Sequence, residues 1–299
     1  MRHSKELRKQ LITVVILSLL VLYTITFEMK LLQTEISIQN MEQSSLDYSS
    51  YRQMKVSKTA LLKAEQKISR LTKKYSYMKD LPYMNTIGYL TYSMLAGTYD
   101  LIEKPAVGEY HFCRGIGRVA SLEAYRELYE YNHAIFTDLK YFPVPVDRSL
   151  EADINYKDSW FGPRTYGGER KHEGTDLMST NNLRGYFPVL SITDGVVEKK
   201  GWLEQGGNRI GIRSDAGGYF YYAHLESYAP ELEEGDRVIA GQLLGFMGDS
   251  GYGKEGTVGQ FPVHLHMGIY VDTPSGEMSV NPYHIMKILE KNRISMDMK

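Results

Sequence analysis

The chain has 299 residues, 35 basic against 36 acidic, and a formal net charge of -1. That balance excludes a partner held by a broad basic surface, so nucleic acid is not an expected ligand. The single cysteine, Cys113, excludes an intramolecular disulfide and a thiolate-rich structural zinc site, which leaves histidines and carboxylates for any metal.

Glycine divides the chain. None precedes Gly88, and 22 of the 27 lie from Gly162 onward. Glycine-free sequence suits helices, and dense glycine suits turns and bulges between short strands. A helical N-terminal part followed by a β-rich C-terminal part is expected.

From Gln10 to Phe27 no residue is charged, and Leu11 to Leu22 is almost wholly aliphatic. At about 1.5 Å per residue the run reaches about 27 Å, close to the hydrocarbon thickness of a bilayer. Arg2, Lys5, Arg8 and Lys9 precede it, and Glu28 and Lys30 follow. The positive-inside rule then makes residues 1–10 a cytoplasmic tail, 11–27 a transmembrane anchor, and the remainder extracytoplasmic. A buried core helix fits poorly beside a basic tail. A cleaved signal peptide fits poorly too, because the apolar run is long and Thr24-Ile25-Thr26-Phe27 offers no small-x-small cleavage site.

Residues 28–80 read as a helical stalk. Between Met54 and Met78 the apolar residues Leu61, Ala64, Ile68, Leu71, Tyr75 and Met78 recur at 3,4 spacing, with lysines and Arg70 on the other faces. The stripe is too short to establish a coiled-coil dimer, and a helix packed on its own domain explains it equally well. It remains the natural contact for a protein partner or for self-association. Residues 81–150 read as a mixed helical region and linker. Ser121 is placed to cap a helix over 122–136 with Glu123 near its positive end. Phe142-Pro143-Val144-Pro145-Val146 cannot continue a helix and is expected to be a linker. His111 and His133 have no other candidate ligands close in sequence and read as ordinary polar histidines.

The chemistry lies in residues 155–286, ahead of a C-terminal tail, 287–299. His172-Glu173-Gly174-Thr175-Asp176 is not the helical His-Glu-x-x-His motif, since its fifth residue is Asp and Gly174 falls where that motif needs helix interior. In an extended strand, offsets of two and four return to one face, so His172 and Asp176 are expected to point at one ion with Gly174 leaving room. His264-Leu265-His266 puts two imidazoles on one face of a second strand. Two ligands from the first element and one from the second leave a fourth position for water, the arrangement of catalytic zinc. Tyr221-Tyr222-Ala223-His224-Leu225 supplies a further histidine suited to general-base or oxyanion work.

Together with their surroundings these motifs resemble the lysostaphin-type, or LytM-like, family of bacterial cell-wall metallopeptidases, from about Arg170 to Pro282. The likeness runs through Pro188-Val189, Asp194-Gly195-Val196-Val197, Gly206-Gly207-Asn208, Tyr222-Ala223-His224-Leu225 and Gly235-Asp236-x-Val238-x-Ala240-Gly241-Gln242. It continues in Gly245-x-x-Gly248-x-Ser250-Gly251, His264-Leu265-His266 and Asn281-Pro282. The resemblance implies that His172, Asp176 and His266 are the zinc ligands and that His224 and His264 are the catalytic histidines. Which of His264 and His266 binds metal comes from the family and not from the spacing. It further implies a C-terminal domain of mainly antiparallel β-sheet and zinc-dependent cleavage of peptidoglycan stem or cross-bridge peptides. With the helical, apolar N-terminal part, the expectation is an α+β chain and a membrane-anchored zinc endopeptidase. A non-enzymatic or partner-gated LytM-like scaffold is the alternative. Two stretches depart from the pattern, Ser179 to Tyr186 and Tyr252 to Val263, and both are expected to shape the groove rims. Trp160, Phe161, Tyr166, Trp202, Phe220 and Tyr221 read as core or groove wall, Glu204 and Asp215 as loop carboxylates, and His284 and His3 as surface residues.

Overall fold

The computed structural model describes residues 2–102 and 106–298. Its helices are α1 (Arg2–Gln43), α2 (Tyr48–Tyr51), α3 (Lys58–Lys74), α4 (Thr86–Gly97), α5 (Glu109–Val119), α6 (Glu123–Phe136) and α7 (Tyr283–Leu289). Among the described residues, α1 is the one helix long and apolar enough to cross a membrane. Its apolar side chains from Leu11 to Phe27 find no cover in the protein. Further along, Thr34, Ile38 and Met41 turn inward and are buried, and Glu35 and Glu42 pair with Arg114 and Arg118 of α5. One helix therefore begins as bare apolar surface and ends as part of a bundle.

Of the stripe expected to form a stalk, Ala64, Ile68 and Leu71 pack on their own domain, whereas the helix ends at Lys74 and leaves Tyr75 exposed. Ser57 caps α3 through the Ala60 N–H, and Ala60, Ala64, Ile68 and Leu71 are buried in the helical core. The helix over 122–136 is present as α6, but Ser121 does not cap it. Its hydroxyl is held by the Arg118 carbonyl at 2.7 Å, so it serves the end of α5 instead. The proline-rich run is extended but not a loose linker, since Phe142 and Val144 are fully buried. It leads into β1 (Val146–Asp147), which pairs in parallel with β14 (Ser295–Met296). Residues beyond α7 are thereby tied to the domain, with Arg293 bonded to the Val144 and Pro145 carbonyls.

The remaining strands are β2 (Ile154–Asn155), β3 (Pro163–Arg164), β4 (Arg170–Lys171), β5 (Thr175–Ser179), β6 (Pro188–Leu190), β7 (Gly195–Leu203), β8 (Gly207–Ser214) and β9 (Tyr219–Tyr228). They continue with β10 (Arg237–Val238), β11 (Leu243–Met247), β12 (His264–Thr273) and β13 (Gly276–Val280). The main sheet runs β10-β7-β8-β9-β12-β5-β2 and is antiparallel throughout. It forks along β9. Tyr219 to Ala223 pair with β12, whereas Leu225 to Tyr228 pair with β11. One sheet face carries Ile210, Ile212, Phe220, Tyr222, Leu265 and Ile269 into a core shared with Tyr51, Leu90, Leu128 and Ile135 of the helical part. The other face is left for the groove.

Candidate metal centre and catalytic groove

The open face of β5, β12, β9 and β8 floors a groove of about 530 Å³ that holds His172, Asp176, His224, His264 and His266. The period of two works as expected on β12. Leu265 is buried in the core opposite Leu177, while His264 and His266 stand on the groove face opposite Met178 and Asp176. His172 arrives differently. It sits in the loop after β4, and β5 begins only at Thr175. Two backbone bonds, Phe161 N–H to the His172 carbonyl and His172 N–H to the Gly162 carbonyl, both 2.8 Å, hold that loop in place. Gly174 lets it pass under the His266 ring: a Cβ there would stand 2.3 Å from His266 Cε1 and 2.5 Å from Nε2.

Three donor atoms meet. His172 Nε2 and His266 Nδ1 are 3.1 Å apart, and each is 3.0 Å from Asp176 Oδ1. Donors in a tetrahedral zinc site with bonds of about 2.0–2.1 Å stand about 3.3 Å apart, so the set fits such a cation with little adjustment. The surroundings complete the fit. The Ser159 carbonyl lies 3.2 Å from His172 Nδ1, and accepting its proton leaves Nε2 a free lone pair. Asp176 Oδ2 is held by Arg164 at 2.6 Å. Burial opposes charge on Asp176, but the bonds to His172 and His266 and the electrostatic pull of His266 and His264 outweigh it and hold the carboxyl well below the usual carboxylate range.

His224 and His264 flank this cluster with ring centroids 4.7 Å apart. His224 Nδ1 lies 2.8 Å from the Ser250 carbonyl and His264 Nδ1 lies 2.7 Å from the Pro262 carbonyl. A carbonyl only accepts, so each ring donates from Nδ1 and keeps an unprotonated Nε2. Burial pushes both imidazoles below the ordinary histidine value, His224 far below it. Strict alternation along β9 would send His224 into the core, because Ala223 already occupies the groove face. A bulge prevents this: His224 has φ 63°, and the strand register slips between Asn208 and Ile210 of the neighbouring β8. The bulge lies where the sheet forks, and it turns His224 into the groove.

Of the two departing stretches, Tyr252 to Val263 flanks the groove: Tyr252 lines it, and Phe261 packs on the His224 ring at 4.5 Å. Ser179 to Tyr186 does not line it and instead braces that loop, with Asn182 Oδ1 accepting the Val263 N–H. Phe220 is core, while Trp160, Phe161, Tyr166, Trp202 and Tyr221 are half-buried. Glu204 and Asp215 are loop carboxylates, bonded to Tyr166 and Arg237. His284, expected at the surface, is half-buried at the start of α7, and burial lowers its pKa. His111 and His133 lie on α5 and α6, away from the groove. Ser159, Arg164 and Arg52 were not singled out by the sequence. Arg52 reaches from the helical part to Glu173 Oε1 at 2.6 Å and to the Ser279 hydroxyl at 2.6 Å, and Glu173 directly follows His172 in the chain. Single arginines and serines without motif spacing offer no signal of that kind.

Residues 170–282 match the profile of peptidase family M23. A curated relative from Bacillus subtilis, an L-Ala–D-Glu endopeptidase, is 38% identical over 185 residues, covering 62% of this chain and 54% of that protein. The chain thus spans about half the length of that relative. The glycyl-glycine endopeptidase ALE-1 of Staphylococcus capitis is 31% identical over 137 residues, covering 44% of this chain and 34% of its own. A crystal structure of a protein from Ruminococcus gnavus that carries the name LytM superposes with a TM-score of 0.68 at 40% identity. It covers 88% of this chain and 99% of that one.

Proposed function

Because the chain belongs to peptidase family M23, we propose that it is a zinc metalloendopeptidase that hydrolyses peptide bonds in peptidoglycan. In this reading α1 anchors it in the membrane, and residues 155–286 form the catalytic domain outside. The observation that carries the proposal is one groove in which three metal-type donors converge beside two imidazoles with free Nε2 atoms. His172, Asp176 and His266 hold the ion. Zinc bound there supplies a Lewis acid that polarises a carbonyl and makes water nucleophilic near neutral pH.

The rest of the work falls to the chain. His224 and His264, neutral because they are buried, accept the proton released as water attacks the scissile carbonyl. Once protonated, an imidazolium beside the new oxyanion stabilises it and then delivers its proton to the leaving amine. The Ser250 and Pro262 carbonyls keep both rings in the productive tautomer throughout. Arg164 holds the second oxygen of Asp176 and so keeps the first aimed at the cluster. The relatives' names divide between an L-Ala–D-Glu bond and a glycyl-glycine bond, and both are amides of the kind this groove would cut.

The test compares full-length wild type, His266→Ala and His224→Ala in detergent for bound zinc and for release of soluble fragments from purified peptidoglycan. Wild type is expected to carry near-stoichiometric zinc and release fragments, and His266→Ala to lose both. His224→Ala should keep zinc and lose about 10²- to 10⁴-fold in rate. Wild type without zinc, or with zinc and no fragment release, would refute the proposal.

A further inference from the structure

Along β8, Ile210 and Ile212 enter the core, so Arg209, Gly211 and Arg213 stand on the groove face. The strand pairing locates Arg209 on that face. Gly211 lies opposite Tyr221, Tyr221 opposite Gly268, and Ala223 opposite His266. Arg209 is therefore two strands from His266, about 10 Å at about 4.8 Å per strand. It lines the same groove as the metal cluster.

The other groove arginines are occupied. Arg164 binds Asp176, and Arg170 donates to the Tyr252 hydroxyl. Arg213, further along the same strand, makes a two-point contact with Glu198 at 2.6 and 3.0 Å. Arg209 differs. Its Nη1 is shut off from solvent and has no hydrogen-bond partner among the described residues. The groove carboxylates do not serve it, since Glu173 is taken by Arg52 and Ser279, and Glu277 lies 3.7 Å from Arg213. Nη1 itself is covered, but Arg209 is only half-buried and lines the groove, and no carboxylate among the described residues pairs with it, so its charge is left for an acceptor that a ligand supplies. The planar fork of arginine matches a carboxylate at two points.

We propose that Arg209 is a specificity-determining residue that binds a substrate carboxylate one to three residues from the bond being cut. That spacing follows from about 3.3–3.6 Å of extended peptide per residue across the interval from metal cluster to guanidinium. The substrate class is then an acidic peptide, not a bridge of uncharged residues alone. This inference rests on the proposed peptidase reading and narrows it.

Binding tests it without requiring turnover. The zinc-loaded full-length protein is titrated calorimetrically with capped dipeptides, Ala–Glu and Ala–Gln, in both configurations at the second residue. Wild type should bind an acid form about 10- to 100-fold more tightly than its amide, the range of a charge-assisted two-point contact. Arg209→Gln should abolish that preference with zinc content unchanged, and Arg209→Lys should retain part of it. Equal binding of acid and amide by wild type, or a preference that survives in Arg209→Gln, overturns the inference. The second result would arise if the carboxylate met the metal directly. An Arg209-dependent preference in a chain that leaves peptidoglycan intact would sink the proposed activity alone. Indifference to the carboxylate in an active chain would sink this inference alone.

Discussion

Gly174→Ala tests whether the groove is built around an ion. The added Cβ would stand 2.3 Å from His266 Cε1, 2.5 Å from Nε2 and 2.9 Å from the Met267 carbonyl oxygen. Ordinary contact with a ring carbon begins near 3.4 Å, so the imidazole must retreat by about 1 Å. Zinc–ligand distances tolerate about 0.2 Å, and disturbing the support of a ligand costs about 10- to 100-fold in affinity. A displacement several times the tolerance is expected to weaken zinc binding at least about 100-fold, or about 2.7 kcal/mol. Competition with a chromophoric chelator measures it, and melting of the metal-free proteins separates lost affinity from lost fold. Gly117→Ala is the control. Its Cβ meets nothing within 4 Å and lies inside α5, so zinc affinity should hold while stability rises by about 0.5–1 kcal/mol. A folded Gly174→Ala protein with wild-type zinc affinity would show that His266 is not a ligand.

Arg52→Met removes three hydrogen bonds, to Glu173, the Ser279 hydroxyl and the Ser279 carbonyl, and is expected to destabilise the protein by about 1–3 kcal/mol in urea titration. Burial holds His224 and His264 below the ordinary value of 6.5, so the unfolded chain takes up their protons first as pH falls. Their contribution to stability is complete above pH 6.5 and is lost on acidification below it. The depressed Asp176 adds a second loss below its ordinary 3.8. Urea midpoints of the metal-free protein should fall between pH 7.5 and 4.5 from the histidines alone, and a flat profile there would contradict the burial of these rings. Deleting residues 1–27 should abolish flotation with lipid vesicles at unchanged stability. Deleting residues 1–43 strips the buried Ile38 and Met41 and should cost about 4 kcal/mol or more.

How far the sequence could be read depended on whether a feature has a period. The apolar run of α1, the inward stripe of α3 and the alternation His264-Leu265-His266 all repeat with the geometry of their element, and each lies in an element of the expected kind. Ser121 and the proline-rich run depart from expectation, for one reason. Both were read from one local preference that another contact overrode: the Arg118 carbonyl, three residues back in the preceding helix end, holds Ser121, and the core takes in Phe142 and Val144. A proline-rich run establishes that a segment is not helical. It does not establish that the segment is unpacked.

The groove divides in the same way, and that division explains why spacing could not separate the roles of its histidines. His264 and His266 share a face of β12, the first buried and the second half-buried. What separates them is the neighbouring strand and the loops. His266 lies directly opposite Asp176, whereas His264 donates to the Pro262 carbonyl and its Nε2 stays 3.7 Å from that carboxylate. His224 depends still more on context, because only a bulge with a left-handed residue at the fork of the sheet brings it to the groove face. Ser159, Arg164 and Arg52 then position groups they never adjoin in sequence; Arg52 is 121 positions from the Glu173 it binds. The proposed ligands are thus written in short motifs, while the proposed division into ligand, base and support is written in register and long-range contact. Substitutions at Arg164 or Ser159 should therefore reduce metal affinity by the 10- to 100-fold typical of lost ligand support, although neither residue lies in any motif of the sequence.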